Sequence, residues 1–255
     1  MKIGAQFFTL RNHCKTLDDL SLSLRKVADM GYSTVQLSAV CEFEADWMKQ
    51  ELDRNGLKCV VTHTPVDKLK GDLKKVCDDH KTFGCHNVGL GMFTFKNDTP
   101  EERYAAFLEE YAPVAKGIKE QGLLFMYHNH NAEFRKIGGK TILRKMAEDF
   151  APDEMGFILD TFWIQAGGAN PVEYIREFAG RIPCIHLKDF RYNPDEIKNS
   201  ICAIGDGNIN FEAVAAAAAD SGVEYMLVEQ DNCYDEDPFD ALRRSYAYLK
   251  SIGLE

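Results

Sequence analysis

Residues 155–161 read MGFILDT. Side chains of an extended chain alternate between two faces, so Gly156, Ile158 and Asp160 share one side of this stretch. The pattern recurs in IPCIHLKD (182–189), where Cys184, His186 and Lys188 oppose Ile185 and Leu187. In YMLVEQD (225–231), Leu227, Glu229 and Asp231 alternate with Met226, Val228 and Gln230. Small Gly156 and Cys184 suit a crowded interior, and bulky Phe157, Ile185 and Val228 suit contact with helices. Each stretch therefore reads as a strand that delivers ionisable groups at its C-terminal end.

Working outward, further strands are predicted at 2–8, 34–39, 58–64, 86–92 and 123–129, giving eight in all with 155–161, 182–188 and 224–230. Amphipathic helical stretches lie between them, among them 17–30, 44–55, 100–121 and 238–252. Gly31, Gly56, Gly122 and Gly222 stand where helices should stop, and Asp18, Thr99 and Asn210 near helix starts. Alternation of this kind implies parallel strands joined by helical crossovers. A doubly wound open sheet would carry a glycine-rich first turn, and FFTLRNHCKT (7–16) contains no glycine. The expectation is one domain, residues 1–255, folded as a single (β/α)8 TIM barrel, for which 255 residues is an ordinary length.

Forty acidic against thirty basic residues give a formal charge of −10. Affinity for phosphate backbones comes largely from Lys and Arg, so neither nucleic acid nor an anionic membrane is an expected partner. No stretch approaches the length of a bilayer span, and MKIGAQFFTL reads as a first strand rather than a signal peptide. None of the eight cysteines forms a CxxC pair. They read as reduced thiols, and the protein as cytoplasmic. A homo-oligomer is left open.

Active sites of such barrels lie at the C-terminal ends of the strands. Those ends present His63, Met92, the cluster FMYHNHNAEF (125–134), Asp160, His186 with Lys188, and Glu229 with Asp231. An aspartate at a strand end is ordinarily a cap, and a lone histidine a satisfied core residue. Three successive strands each aiming an ionisable group inward would bury unpaired charge unless a cation were present. Carboxylates and imidazole without thiolate pairs suit one Mn2+, Mg2+, Co2+ or catalytic Zn2+. Glu133 is the best further carboxylate. The segment IGDGNINFEA (204–213) offers Gly205 and Gly207 to a phosphate, but a tight turn capped by Asn210 is the simpler reading.

The ordered set YHNHNAEF, ILDTFWIQAGGANP, RIPCIHLKDF, GDGNINF and VEQD resembles the xylose isomerase-like barrels, the sugar phosphate isomerase/epimerase group. The likeness runs from KIGAQFFTLR to the final helix. It implies that Asp160, His186 and Glu229 are three of four divalent-metal ligands. The fourth, normally a carboxylate on the fifth strand, is open here among Glu133, His130 and His128. The resemblance implies Glu229 and Glu133 as paired catalytic bases, with His128 or His130 as acid or base if Glu133 binds elsewhere. It makes His63 and Trp163 substrate contacts, and Lys188 either an oxyanion stabiliser or the ion-pair partner of Asp189. Phe7, Phe8 and Met92 would supply an apolar floor.

The implied activity is a metal-dependent isomerase or epimerase working on a sugar or polyol through an enediolate. A lyase on a keto-inositol or 3-keto-glycoside begins with the same proton removal. An endonuclease IV-like phosphodiesterase would need several metals and a basic surface, and a non-catalytic sugar binder would keep the same ligands without turnover.

Overall fold

The computed structural model describes residues 1–94, 99–195 and 198–255. Eight parallel strands form its centre: β1 Lys2–Gln6, β2 Thr34–Leu37, β3 Lys58–Thr62, β4 Asn87–Leu90, β5 Leu124–His128, β6 Met155–Asp160, β7 Cys184–Leu187 and β8 Tyr225–Val228. They are hydrogen-bonded in the order β3-β2-β1-β8-β7-β6-β5-β4, so chain neighbours are sheet neighbours except for β3 and β4, which end the sheet. The sheet curls until β3 meets β4. There a backbone bond from Thr64 N–H to the Gly89 carbonyl (2.8 Å) and a side-chain bond from Asn87 Nδ2 to the Val60 carbonyl (2.7 Å) bridge the two edges. Gly89 permits this approach, because a Cβ there would stand 2.1 Å from the Thr62 carbonyl oxygen. The result is a nearly closed (β/α)8 barrel.

Alternation along the strands sorts the side chains as their sizes suggest. Val60, Val61, Met126, Ile158, Cys184 and Leu227 fill the barrel interior, while Phe157, Ile185 and Val228 join the larger core beneath the helices. The pairing of β2 with β3 shifts register between Val35 and Gln36, leaving Val60 without a partner across the ladder. That irregularity lets consecutive valines both reach the interior, as a bulge does.

Helices Leu17–Asp29, Ala45–Asn55, Pro100–Glu120 and Pro238–Ser251 cover the sheet within a residue of their predicted bounds. Thr99 caps the third of these through a reciprocal bond with Glu102, and Asn210 caps Phe211–Asp220. Asp18 is not a cap: Thr16 accepts the Asp19 N–H, and Asp18 lies in the first turn. The first strand is shorter than predicted, because the Gln6 side chain accepts the Phe8 N–H and turns the chain into a 3-10 helix, Phe7–His13. Among the described residues no helix is long and apolar enough to cross a membrane. The eight cysteines are free.

Candidate metal centre

Four strands end on four ionisable side chains. His128 closes β5, Asp160 closes β6, His186 lies in β7, and Glu229 follows β8. Asp160 and His186 are register partners on adjacent strands. All four side chains are buried, and one ligand atom from each lies within 4.8 Å of the others.

Each of the four has one polar atom held by a fixed partner, which leaves the other turned to the centre. His128 Nδ1–H donates to the Gly91 carbonyl (2.9 Å), which turns Nε2 inward, 3.4 Å from Asp160 Oδ2. Asp160 Oδ1 accepts the Trp163 N–H (2.9 Å) and caps the helix Thr161–Ala166, leaving Oδ2 inward. His186 Nε2–H donates to Gln36 Oε1 (2.6 Å), which turns Nδ1 inward. Glu229 Oε1 accepts from Gln6 Nε2 (2.8 Å), leaving Oε2 inward. His186 Nδ1 is 2.9 Å from Glu229 Oε2 and 3.8 Å from Asp160 Oδ2; burial favours the neutral ring, but these two carboxylates outweigh it and hold His186 above the usual histidine value. Two imidazole nitrogens and two carboxylate oxygens, buried and convergent, are a donor set that fits a divalent cation. The partners that fix them play the orienting part that outer groups play around metal ligands.

Lys188 stands against this group, 1% exposed. Its ammonium lies 3.1 Å from Asp160 Oδ2, 3.0 Å from Glu229 Oε2 and 3.0 Å from Asp231 Oδ1, and 5.3 Å from the centre of the Trp163 ring. Burial favours the neutral amine, but the three carboxylates outweigh it and hold Lys188 above the usual lysine value. In the other direction, Lys188 overcomes the burial of Asp160 and Glu229 and keeps both well below the usual carboxylate range. Lys188 is therefore not the partner of Asp189. That carboxylate accepts the backbone N–H groups of Phe190, Gly205, Gly207 and Ile209 at 2.8–3.2 Å. The cradle that could have taken a phosphate is filled by the chain's own anion.

Two further histidines gather around the four. The His63 ring lies 5.1 Å from His128 and 5.6 Å from His186, with Nδ1 3.2 Å from Ser38 Oγ and Nε2 without a partner. Burial first, then the two neighbouring imidazoles, push His63 well below the ordinary histidine value. The His130 ring packs 4.7 Å from His128 and 5.0 Å from Trp163. Burial, His128 and Lys188 lower His130 to about 3. His63, His128, His130, Lys188 and Glu229 line a cavity of about 730 Å³ together with Phe8, Val66 and Met92. Phe7 is not part of that floor, being buried in the outer core.

Glu133 departs from the expectation. It is fully buried in the short turn Ala132–Phe134, where it accepts a hydrogen bond from the Tyr127 hydroxyl and another from the His130 N–H (3.1 Å). It thus fixes the loop that carries His130 and does not enter the convergent group, in which His128 supplies the fifth-strand atom. Burial pushes Glu133 up to about 7, although Tyr127, His130 and Arg135 pull the other way. Its folded form holds a proton more tightly than its unfolded form, so this contribution to stability is full below about 4.5 and is lost as pH rises through about 7. Glu133→Gln keeps one acceptor and one donor without the charge. Relative to wild type it should gain about 3 kcal/mol between pH 4 and pH 8. Thermal melts of both proteins at the two pH values check this, and a difference that does not move with pH would refute it.

The sequence reading passed over Gln6 and Gln36. Both are completely buried near the C-terminal ends of the strands KIGAQ and TVQL, and the signal was the anomaly of an amide there.

A family model for the xylose isomerase-like TIM barrel matches residues 24–252. An inosose dehydratase of Geobacillus kaustophilus is 22% identical over 265 residues, spanning 89% of this chain and 83% of its own. A sugar phosphate isomerase/epimerase of Parabacteroides distasonis, known by crystal structure, superposes with a TM-score of 0.81 at 26% identity, covering 98% of this chain and 97% of its own. The crystal structure of the IolI protein with a bound zinc atom superposes with a TM-score of 0.75 at 16% identity, covering 99% and 98%. With the barrel and its strand-end cluster in place, the match from the first helix to the last identifies the family: the chain belongs to the xylose isomerase-like TIM barrels.

Proposed function

We propose that the protein is a divalent-metal-dependent lyase that removes water from a keto-cyclitol or keto-sugar. His128, Asp160, His186 and Glu229 would hold the cation, with Mn2+, Co2+ or Zn2+ best suited to their nitrogen and oxygen donors. A cation held there polarises a carbonyl and its neighbouring hydroxyl and so lowers the cost of an enediolate.

One observation carries the choice of reaction. Among the described residues, the carboxylates lining the cavity are Glu229 and Asp231, two residues apart at the end of β8, while Glu133 is turned away to Tyr127. Epimerisation removes a proton on one face of the substrate and returns it on the other, and so asks for two opposed groups. Loss of water asks for only one. His130 supports that role, because it lines the cavity and its value of about 3 keeps the imidazole unprotonated and able to accept a proton. His130 takes the proton from the carbon beside the carbonyl. The electrons of that bond form a carbon–carbon double bond as the next carbon's C–O bond breaks, and His130 returns the proton to the departing hydroxyl, which leaves as water. Lys188 lends positive charge beside the developing oxyanion, and the Trp163 ring packs against His130 and Lys188. The name of the Geobacillus relative, inosose dehydratase, supports the same reading.

Epimerisation is the second reading, supported by the Parabacteroides neighbour. The test is incubation of 2-keto-myo-inositol with the Mn2+-loaded protein in D2O. A product lighter by one water and newly absorbing in the ultraviolet is expected. Solvent deuterium at an inverted carbon, with no loss of water, would favour the epimerase instead. No turnover of keto-cyclitols or keto-sugars with Mn2+, Co2+ or Zn2+ would sink both.

A further inference from the structure

Two of the four partners that orient the metal-facing atoms are backbone groups, the Gly91 carbonyl and the Trp163 N–H. The other two are glutamines on β1 and β2, strands that supply none of the four convergent side chains. Gln6 and Gln36 are register partners on these adjacent strands.

The two amides differ in how they are fixed. Gln6 accepts the Phe8 N–H through its oxygen, so only its Nε2 can reach Glu229. Gln36 has no second anchor: its Nε2 is buried without a hydrogen-bond partner, and its Oε1 is spent on His186. A buried amide with an unmet donor is costly, and here the cost is accepted at the register shift between Val35 and Gln36.

We propose that Gln36 is a positioning residue that decides which imidazole nitrogen of His186 faces the centre. With Oε1 toward the ring, Nε2 must carry the hydrogen and Nδ1 presents its lone pair to the cation. With the amide reversed, Nε2–H would have no acceptor and the hydrogen would move to Nδ1, where it points at Asp160 and Glu229 and blocks a metal. This proposal rests on the metal reading given above.

The experiment compares Gln36→Leu and Gln36→Glu with wild type. Leucine removes the acceptor. Glutamate keeps it, and so serves as the conservative rescue. Each protein is stripped with chelator and titrated calorimetrically with Mn2+. Gln36→Leu should bind about 10- to 100-fold more weakly, while Gln36→Glu should bind at least as tightly as wild type. Both should keep the wild-type circular dichroism spectrum. Equal affinity in wild type and Gln36→Leu would overturn the proposal, as would a loss in Gln36→Leu that glutamate does not rescue.

A separate readout needs no metal. In 15N-histidine-labelled protein, at a pH where the ring is neutral, His186 should carry its proton on Nε2 in wild type and Gln36→Glu. It should move toward Nδ1 in Gln36→Leu, and an unchanged tautomer there would overturn the assignment. Absence of Mn2+ binding in wild type would count against the metal reading, and the tautomer measurement would still decide for or against Gln36.

Discussion

Asp160→Ala is expected to leave the protein without bound metal and to cut turnover by about 10^4-fold, the scale on which removal of one member of a cooperating set acts. Asp160 serves two structures through its two oxygens. Oδ2 faces His128, His186 and Lys188, and Oδ1 caps the helix that carries Trp163. Alanine removes both functions, and loss of the cap alone costs about 1 kcal/mol. Asp160→Asn separates them, because its amide oxygen can still accept the Trp163 N–H while the charge is gone. The asparagine protein should melt above the alanine protein and yet be as poor in metal. Metal content by elemental analysis, a melting curve and turnover of the keto-cyclitol check the three parts. Metal retained at one per chain in Asp160→Ala would remove Asp160 from the ligand set.

Lys188→Met should destabilise the metal-free protein by about 3–5 kcal/mol, the usual consequence of leaving buried charges uncompensated. For a chain of this size that corresponds to a melting point lower by roughly 10 °C. The cause is local: Asp160, Glu229 and Asp231 meet at the Lys188 ammonium, and methionine leaves them to repel one another. A divalent cation would neutralise two of the same carboxylates. Mn2+ should therefore raise the melting point of Lys188→Met more than that of wild type, although turnover stays low without the ammonium beside the oxyanion. A variant that melts with wild type in the absence of metal would show that the lysine does not hold the carboxylates together. The same arrangement explains how the centre can be folded without its cation: the chain carries a cation of its own.

The barrel was legible because its signal is periodic. MGFILDT, IPCIHLKD and YMLVEQD each place a polar side chain by counting in twos, and a strand preserves that count. Asp160, His186 and Glu229 converge for this reason. Glu133 lies five residues beyond the end of β5, where the chain has left the strand and closed a 3-10 turn. Period two no longer says where a side chain points there, and burial against Tyr127 takes it outward. His128, still on the strand, occupies the inward position. Asp18 fell to a similar limit, since Thr16 and Asp18 are both good capping residues and only the local chain direction separates them. Gln6 and Gln36 obey the period too, but an amide carries no charge, so only its burial, which the structure shows, marks it out.

The junction of β3 with β4 has a consequence for motion. Every other pair of neighbouring strands is zipped by a ladder, whereas these two are pinned by the bonds of Thr64 and Asn87. A cylinder with one weak line breathes along that line. His63 follows β3 on one lip, and Gly91, whose carbonyl sets the ring of His128, follows β4 on the other. Each widening would draw that carbonyl away from the rest of the centre and loosen one of its four donors. The side of the barrel farthest in the sheet from β8 and Glu229 thus carries the support of one of the four donors.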